Sequence, residues 1–457
     1  MFLVAIILVL SLAGYVLGRA RARSAAGGDL ASFHSRPGHH GWHVFLLAAG
    51  PAVALVLLWL VIDPLVLRWA VESRLPQEIL QRPPEMLDFF VQDVARVADG
   101  RAPHGEMSPA LEEAAGFHGW LSSISAVLRY IVGLLAALFG IQLGLRHVTP
   151  DFRARNRVEA WVRGALLAAA AISIVTTAGI VFSVLFESLR FFDKVPVTDF
   201  LFGLEWSPQT ALRSDQVGSS GSFGAVPLFA GTLLITLIAM AVAGPIGLLS
   251  ATYLAEYASP GFRGFAKPAL EILAGVPTVV YGFFAALTVA PFIRGVGETI
   301  GLSVSSESAL AAGLVMGIMI IPFVSSLADD AITAVPQALR DASLGLGATR
   351  AETITQVIMP AALPGIIAGF LLAVSRAIGE TMIVVMAAGL AANLTGNPLQ
   401  AVTTVTVQIV TLLVGDQEFD SAKTLAAFAL GLVLFVATLL LNIVALHVMQ
   451  TYREKYD

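Results

Sequence analysis

The chain has 457 residues, of which 57% are hydrophobic and only 13% are charged, with a formal net charge of -5. Soluble domains carry about 25% charged residues, so this composition excludes an ordinary soluble protein and indicates a membrane protein. The absence of cysteine excludes disulfides, thiolate metal sites and cysteine nucleophiles. The eight histidines show no metal-ligand spacing of the H-E-x-x-H kind, so we expect no metal site.

Nine apolar runs approach the length of about 20 residues that crosses hydrocarbon as a helix. Because the period-two pattern of membrane barrels is absent, the sequence predicts an all-α, polytopic membrane helix bundle. The predicted spans are Phe2–Leu17, Val44–Ile62, Ile124–Leu145, Val162–Phe186, Pro227–Ser250, Pro268–Ile293, Ala309–Leu327, Leu363–Leu390 and Leu425–Val448.

Basic residues predict the orientation of these spans. Arg19, Arg21 and Arg23 follow the first run rather than precede it, which favours an uncleaved anchor with its N-terminus outside over a cleavable signal peptide. With that orientation the inner segments hold 14 Lys and Arg residues, against 5 in the short outer segments. Basic residues accumulate on the cytoplasmic side, so we also predict a cytoplasmic C-terminus.

Residues 1–145 form a predicted N-terminal membrane extension of three spans, with an outer polar loop at 68–123. Apolar residues at helical spacing in that loop predict an amphipathic helix that packs on its own domain or on the membrane surface, with a partner-docking face as the alternative. These residues are Met86, Phe89, Phe90, Val94 and Val97.

Residues 146–161 form a basic inner linker, which suits anionic inner-leaflet lipid, although a specific partner site stays open. Residues 162–457 then supply six spans. Glu256 lies in the predicted inner loop 251–267, and Glu271 lies just after it. They are expected at the membrane interface, with Arg263 and Lys267 as their partners.

The longest polar insertion on the inner side of the six-span block is 328–362. Pro336 suits the start of a short helix and Gly345 and Gly347 its end. Further helical turns are expected after Glu352, and Pro360 should end them before the next span. None of the four lysines follows a glycine, so the chain has no Walker A motif and any ATP hydrolysis belongs to a separate subunit.

Two charges, Arg376 and Glu380, lie inside the eighth apolar run. Charged side chains in hydrocarbon are costly and are functional candidates by default. At a spacing of four residues the two would share a helix face and could pair directly, so a structural ion pair is one interpretation. The other is an anion-translocation site, where Arg376 binds an oxyanion and Glu380 assists its release. Gly379, Gly389 and Pro277 are candidate hinges.

The polar insertion resembles the EAA loop of ABC importer permeases. The resemblance lies in Asp341-Ala342-Ser343, in Gly347 six residues after Asp341, and in Val357-Ile358-Met359-Pro360. The sequence departs from the usual family pattern with Asp for Glu, Ser for the second Ala and Met for Leu. The resemblance implies that 328–362 carries a coupling helix seated on a cytoplasmic ATPase, through Asp341, Ala342, Ser343, Gly347 and Pro360.

The segment Ser375-Arg-Ala-Ile-Gly-Glu-Thr-Met382 resembles the signature of phosphate-specific (Pst) permeases. Further resemblance lies in 249–257, 271–282 and 393–398, and favours the PstC type in its long form with an N-terminal extension. It implies a type I ABC importer permease core in a bacterial inner membrane. The implied partners are an ATPase dimer that binds ATP and Mg, a PstA-type permease and a periplasmic phosphate-binding protein, with no nucleic acid.

Three alternatives remain open from the residues themselves. The permease could carry another oxyanion, such as sulfate or molybdate. An ion-gradient-driven anion carrier is a second class, although such a carrier needs no ATPase-coupling loop. A membrane scaffold or sensor, with Arg376 and Glu380 as a structural pair, is the third.

Overall fold

A computed structural model describes residues 2–27, 33–81, 83–105, 107–208, 221–414 and 420–452. Within these residues nine helices are long and apolar enough to cross a membrane, which confirms the predicted helix bundle. They are Phe2–Ala25, Pro37–Glu72, Pro109–Arg146, Ala154–Phe192, Val226–Tyr257, Thr278–Thr299, Ala309–Thr333, Arg350–Ile378 and Ala422–Val448. The chain divides into two compact units, Met1–Val175 and Thr176–Asp457.

The first unit is built on three long antiparallel helices. Its elements are α1 (Phe2–Ala25), α2 (Pro37–Glu72), α3 (Gln77–Leu80), α4 (Pro84–Ala98), α5 (Pro109–Arg146) and the first part of α6 (Ala154–Phe192). Glycines let α2 and α5 meet at their backbones: a methyl group on Gly140 would lie 2.2 Å from the carbonyl oxygen of Leu47. Close approach through small residues is how helices pack in hydrocarbon.

The amphipathic helix predicted in the 68–123 loop is α4. Val94 is fully buried against Val71 and Leu111 in a small core of the same unit. The prediction that this helix packs on its own domain is therefore confirmed for that part of its face. Met86 and Phe89, predicted on the same face, remain exposed.

The second unit holds the remaining helices and one short strand pair. It contains α7 (Val197–Phe202), β1 (Trp206–Ser207), β2 (Ser222–Phe223), α8 (Val226–Thr252), π1 (Tyr253–Tyr257), α9 (Pro260–Ala274), α10 (Thr278–Phe284), π2 (Ala285–Val289), α11 (Ala290–Thr299), α12 (Ala309–Thr333), α13 (Gln337–Gly345), α14 (Arg350–Glu352), π3 (Thr353–Ile358), α15 (Met359–Ile378), α16 (Met382–Ala387), α17 (Val405–Leu413) and α18 (Ala422–Tyr452). β1 and β2 are antiparallel, with Trp206 opposite Phe223. The main core lies between α8 and α12, where a methyl group on Gly317 would lie 2.9 Å from the carbonyl oxygen of Ala239.

The sixth span begins later than the sequence predicted. The predicted run Pro268–Ile293 is interrupted after α9, and the spanning helix starts at Thr278. Ser259 caps α9 through its hydroxyl, Gly275 follows its last residue, and Pro277 precedes α10. These are helix start and stop signals inside a run that hydropathy reads as continuous.

Candidate transport and coupling site

Helix α15 descends along α12 and places Arg376 half-way down the bundle. A methyl group on Gly365 would touch Ala331, and one on Gly369 would touch Leu327, so the two helices run antiparallel in close contact. The guanidinium carbon of Arg376 lies 5.7 Å from the ring centroid of Phe323. Phe323 is about 21 Å along α12 from its first residue, near the middle of that helix.

The two intramembrane charges do not share a helix face, which corrects the sequence prediction. Helix α15 ends at Ile378 and α16 begins at Met382, so Glu380 lies in the break between them. Its Oε1 accepts hydrogen bonds from the backbone N–H groups of Thr381 at 3.1 Å and Met382 at 3.0 Å. Thr381 is the N-cap residue of α16, so Glu380 lies just before that helix and its carboxylate gives partners to backbone N–H groups that the helix start leaves free.

The break is held from outside the helix as well. The Thr406 hydroxyl, at the start of α17, donates to the backbone carbonyl of Glu380 at 2.9 Å. Irregular backbone at membrane depth is tolerated only where it is buried in protein or lines a cavity. The interruption is therefore a built part of the bundle, half-way along its length.

Arg376 is exposed, and within the described part of the chain no carboxylate forms an ion pair with it. Among the ion pairs of 4.0 Å or less between described residues, none joins Arg376 to Glu380 or to another carboxylate. Its contact in the structure is the Phe323 ring. A guanidinium offers five N–H donors in a planar fork that suits carboxylate, phosphate and related oxyanions. The arrangement can therefore bind an anion without first breaking an internal pair.

The three candidate hinges lie at irregular points of the backbone. Gly379 is the residue after α15, and Pro277 is the residue before α10. Gly389 is buried with a φ of +99°, and a methyl group on it would lie 2.8 Å from Glu307 Oε2. Only glycine fits that conformation and space. Their role as hinges stays a prediction.

The predicted coupling helix is α13. It follows Pro336 and ends at Gly345, and Gly347 has a φ of +89°, as the turn signals predicted. Asp341 is exposed and accepts a 3.1 Å hydrogen bond from the Gln337 side-chain amide.

Two residues near the end of α13 differ in what they present to the surface. Ser343 faces inward, where its hydroxyl lies 2.9 Å from that of Thr353. The apolar residue that projects most from this loop is Leu346, at 90% exposed, which the motif comparison did not single out.

Pro360 does not end the helix that precedes the eighth span, which is a second correction. The helix runs without interruption from Arg350 to Ile378, through both Pro360 and Pro364. Proline clashes with the carbonyl four residues earlier in a regular α-helix. The π-helical turn π3, which ends two residues before Pro360, widens the helix where that clash would occur.

The partners predicted for Glu256 and Glu271 are also corrected. Arg263 and Lys267 of α9 both bind Asp329 of α12, at 3.0 Å and 2.7 Å. Glu256 of π1 instead binds Arg340 of α13 at 3.1 Å, and both side chains are largely buried. Sequence reasoning missed both sites because the paired residues are more than 60 positions apart.

The comparisons with known proteins agree with this architecture. Residues 243–454 match the family described as a binding-protein-dependent transport system inner membrane component, and residues 4–176 match one described as a phosphate ATP-binding cassette transporter. A probable ABC transporter permease protein, YqgH of Bacillus subtilis, is 31% identical over 63% of this chain and 90% of its own length. The phosphate transport system permease protein PstC of Mesorhizobium japonicum is 30% identical over 54% of this chain and 76% of its own. The chain belongs to the phosphate-type ABC permease family.

As the membrane component of such a transporter, this permease is not itself an enzyme, and it acts with an ATPase and other transporter subunits. The permease matches PstC 1 of Mycobacterium tuberculosis equally well, at 30% identity over 54% of this chain and 80% of the relative. An inward-facing structure of the MetNI methionine ABC transporter is similar at a TM-score of 0.36 and 18% identity, over 50% of this chain and 95% of that one. The inner-membrane-component match spans Arg376, the break at Glu380 and the whole of α13.

Proposed function

We propose that this permease imports inorganic phosphate as the PstC-type half of an ATP-driven transporter in a bacterial inner membrane. The family supplies the transporter class, and the relatives from Mesorhizobium japonicum and Mycobacterium tuberculosis are named as phosphate transport system permease proteins. The observation that supports an anion path through this chain is Arg376, which forms no ion pair among the described residues and lies beside a helix break at mid-depth. Because the guanidinium is permanently charged, it can bind phosphate whatever the protonation state of the phosphate.

Arg376 and Glu380 take different parts in this proposal. Arg376 forms the direct anion contact. Glu380 keeps the break open by accepting hydrogen bonds from the backbone N–H groups at the start of α16, and its negative charge prevents the site from retaining the anion. Gly379, Gly389 and Pro277 serve as hinges around that break when the transporter changes conformation.

The coupling loop transmits the conformational change of the ATPase to the permease. In the proposal, α13 seats on a dimer of a separate ATPase that binds ATP and Mg, with Asp341, Ala342 and the exposed Leu346 at the contact. Ser343, Gly347 and Pro360 act by shaping the loop. A PstA-type permease completes the path and a periplasmic phosphate-binding protein delivers phosphate. The N-terminus lies outside, α13 and the C-terminus lie in the cytoplasm, and the basic 146–161 linker meets anionic lipid.

Radioactive phosphate uptake tests the anion site. We expect Arg376→Gln to reduce uptake by at least tenfold, and Arg376→Lys to retain part of it. Arg294→Gln removes the same charge from a partly exposed position in α11 and should leave uptake within twofold. Normal uptake by Arg376→Gln, at normal levels of assembled transporter, would overturn the assignment of Arg376.

Competition separates phosphate from the other oxyanions. A hundredfold excess of sulfate or molybdate should leave phosphate uptake unchanged, whereas unlabelled phosphate should abolish it. Dissipation of the membrane potential, with ATP maintained, should also leave uptake unchanged if ATP is the energy source. Loss of uptake in that arm would instead favour an ion-gradient carrier.

A further inference from the structure

The side chain of Arg340 joins the coupling helix to two spanning helices at once. Its Nε and Nη2 donate to Glu256 Oε1 at 3.3 and 3.1 Å. Its Nη1 donates to the carbonyl oxygen of Val335 at 2.5 Å, and its Nη2 to that of Ile332 at 2.8 Å. Glu256 lies in π1, which continues α8 without a gap, and Ile332 lies in the last turn of α12. The guanidinium therefore bridges the adjacent ends of α8 and α12.

The same glutamate is held from the other side of the loop. Arg350, which begins the helix after the coupling loop, donates to the backbone carbonyl of Glu256 and lies 5.2 Å from the ring centroid of Tyr257. Arg340, within α13, and Arg350, after the loop, thus both bind Glu256 of π1. A third link, the buried hydrogen bond between Ser343 and Thr353, joins α13 to π3.

Burial makes the ion pair between Arg340 and Glu256 a stiff connection. The two side chains are only 14% and 10% exposed, so water competes weakly for either charge. Arg340 also donates to two carbonyl groups at the C-terminal end of α12, whereas the compact ammonium of a lysine could not reach all of these acceptors at once. Ala251 near the end of α8 packs in one buried cluster with Ala328 and Ile332 of α12, so the two helix ends also meet through apolar side chains.

We infer that Arg340 and Glu256 are positioning residues that make the coupling helix and the inner ends of α8 and α12 move as one body. In this arrangement a displacement of α13 by the ATPase is applied directly to α8 and α12, as well as to α15, which follows α13 in the chain. The inference rests on the proposed function for the identity of the driving subunit. It does not depend on which anion is carried or on the role of Arg376.

Distance measurement by electron paramagnetic resonance tests this rigid connection. The chain has no cysteine, so Ala338→Cys on α13 and Leu249→Cys on α8, both exposed, can carry the only two spin labels in the permease. The assembled transporter is measured without nucleotide and after trapping with ATP and vanadate. We expect one unchanged distance between the labels in both states, and a broadened or shifted distance once Glu256→Ala is added.

Transport per ATP hydrolysed is the functional readout. In proteoliposomes, Glu256→Ala and Arg340→Ala should lower phosphate import by at least tenfold while ATP hydrolysis stays within about twofold. The reversed pair, Glu256→Arg with Arg340→Glu, should recover import relative to either single reversal. Glu298→Ala, which removes a carboxylate from an exposed position of α11, is the matched control and should retain the normal ratio.

Two results would overturn the inference. One is a distance between the labels that changes on nucleotide trapping in the otherwise unaltered permease. The other is a normal import-to-hydrolysis ratio in the Glu256→Ala variant. If the proposed function alone were wrong, phosphate would not be imported by the unaltered transporter, while the distance result would stand.

Discussion

Replacing Asp329 by asparagine should destabilise the second unit by about 2–3 kcal/mol. Asp329 is 3% exposed and binds Arg263 at 3.0 Å and Lys267 at 2.7 Å. Removing one member of a buried ion pair costs about 3–5 kcal/mol. The two cations are about a third exposed, so water restores part of their solvation and lowers that cost.

The free energy of unfolding of the purified permease, measured by denaturant titration in detergent, checks this value. Asp330→Asn is the matched control, because the neighbouring carboxylate is 67% exposed and lies 3.4 Å from Lys267. We expect the control to change stability by about 0.5 kcal/mol or less. Equal effects of the two substitutions, or a loss below about 0.5 kcal/mol for Asp329→Asn, would refute the reasoning from burial.

The stability lost through Asp329→Asn should depend on pH. The hydrogen bond to Asp329, followed by the attraction of its charge, raises the pKa of Lys267 above its ordinary value of 10.5, against the opposing effect of burial. A raised pKa in the folded state contributes stability that is complete below the unfolded pKa and is lost as the pH rises through the folded one. The stability difference between the unaltered permease and Asp329→Asn should therefore be constant from pH 7 to 9 and shrink above about pH 10.5. An increase in that range would contradict the assignment.

Three further substitutions test packing, a buried hydrogen bond and the coupling loop. Gly140→Ala should cost at least about 2 kcal/mol in thermal unfolding, because its methyl group would lie 2.2 Å from a backbone carbonyl; Gly164→Ala, with open space around it, should be neutral. Gln408→Leu leaves a buried tryptophan N–H and a backbone carbonyl without their partner, and should cost about 3 kcal/mol in the same assay. Gly347→Asp should abolish co-purification of the ATPase without changing membrane insertion, whereas Gly345→Asp adds the same charge at a position with ordinary φ and should keep more of it.

Hydropathy was sufficient to predict the number of spanning helices found among the described residues, although the sixth begins later and the eighth ends earlier than predicted. It could not predict the break between Ile378 and Met382, because the run on both sides is apolar. The local signals that could have found the break are Gly379 at the C-cap of α15 and Thr381 at the N-cap of α16. The prediction that Pro360 ends a helix was wrong for a related reason: a π-helical turn is not recognisable from composition. A proline predicts a helix end only for regular α-helical geometry, and the π-helical turn before Pro360 departs from that geometry.

Ion pairs between residues that are distant in the sequence were also predicted wrongly. Glu256 was assigned to neighbours in sequence, whereas its partner is 84 positions away. Lys267 and Asp329 are 62 positions apart. Charge patterns restrict which residues can pair, but the choice among them depends on how α8, α9 and α12 meet at one end of the bundle. That arrangement follows from tertiary packing, which no local window contains.

The backbone contact between α2 and α5 has a consequence for biosynthesis. The helices of the first unit bury Ile7, Ala52 and Ala137 in a core of their own, which is complete once α5 has left the ribosome. N-terminal units generally fold first during synthesis. This unit can therefore close in the membrane while α8 and α12 are still being translated. A defect such as Gly140→Ala would then act early, on insertion, before the transport path has been made.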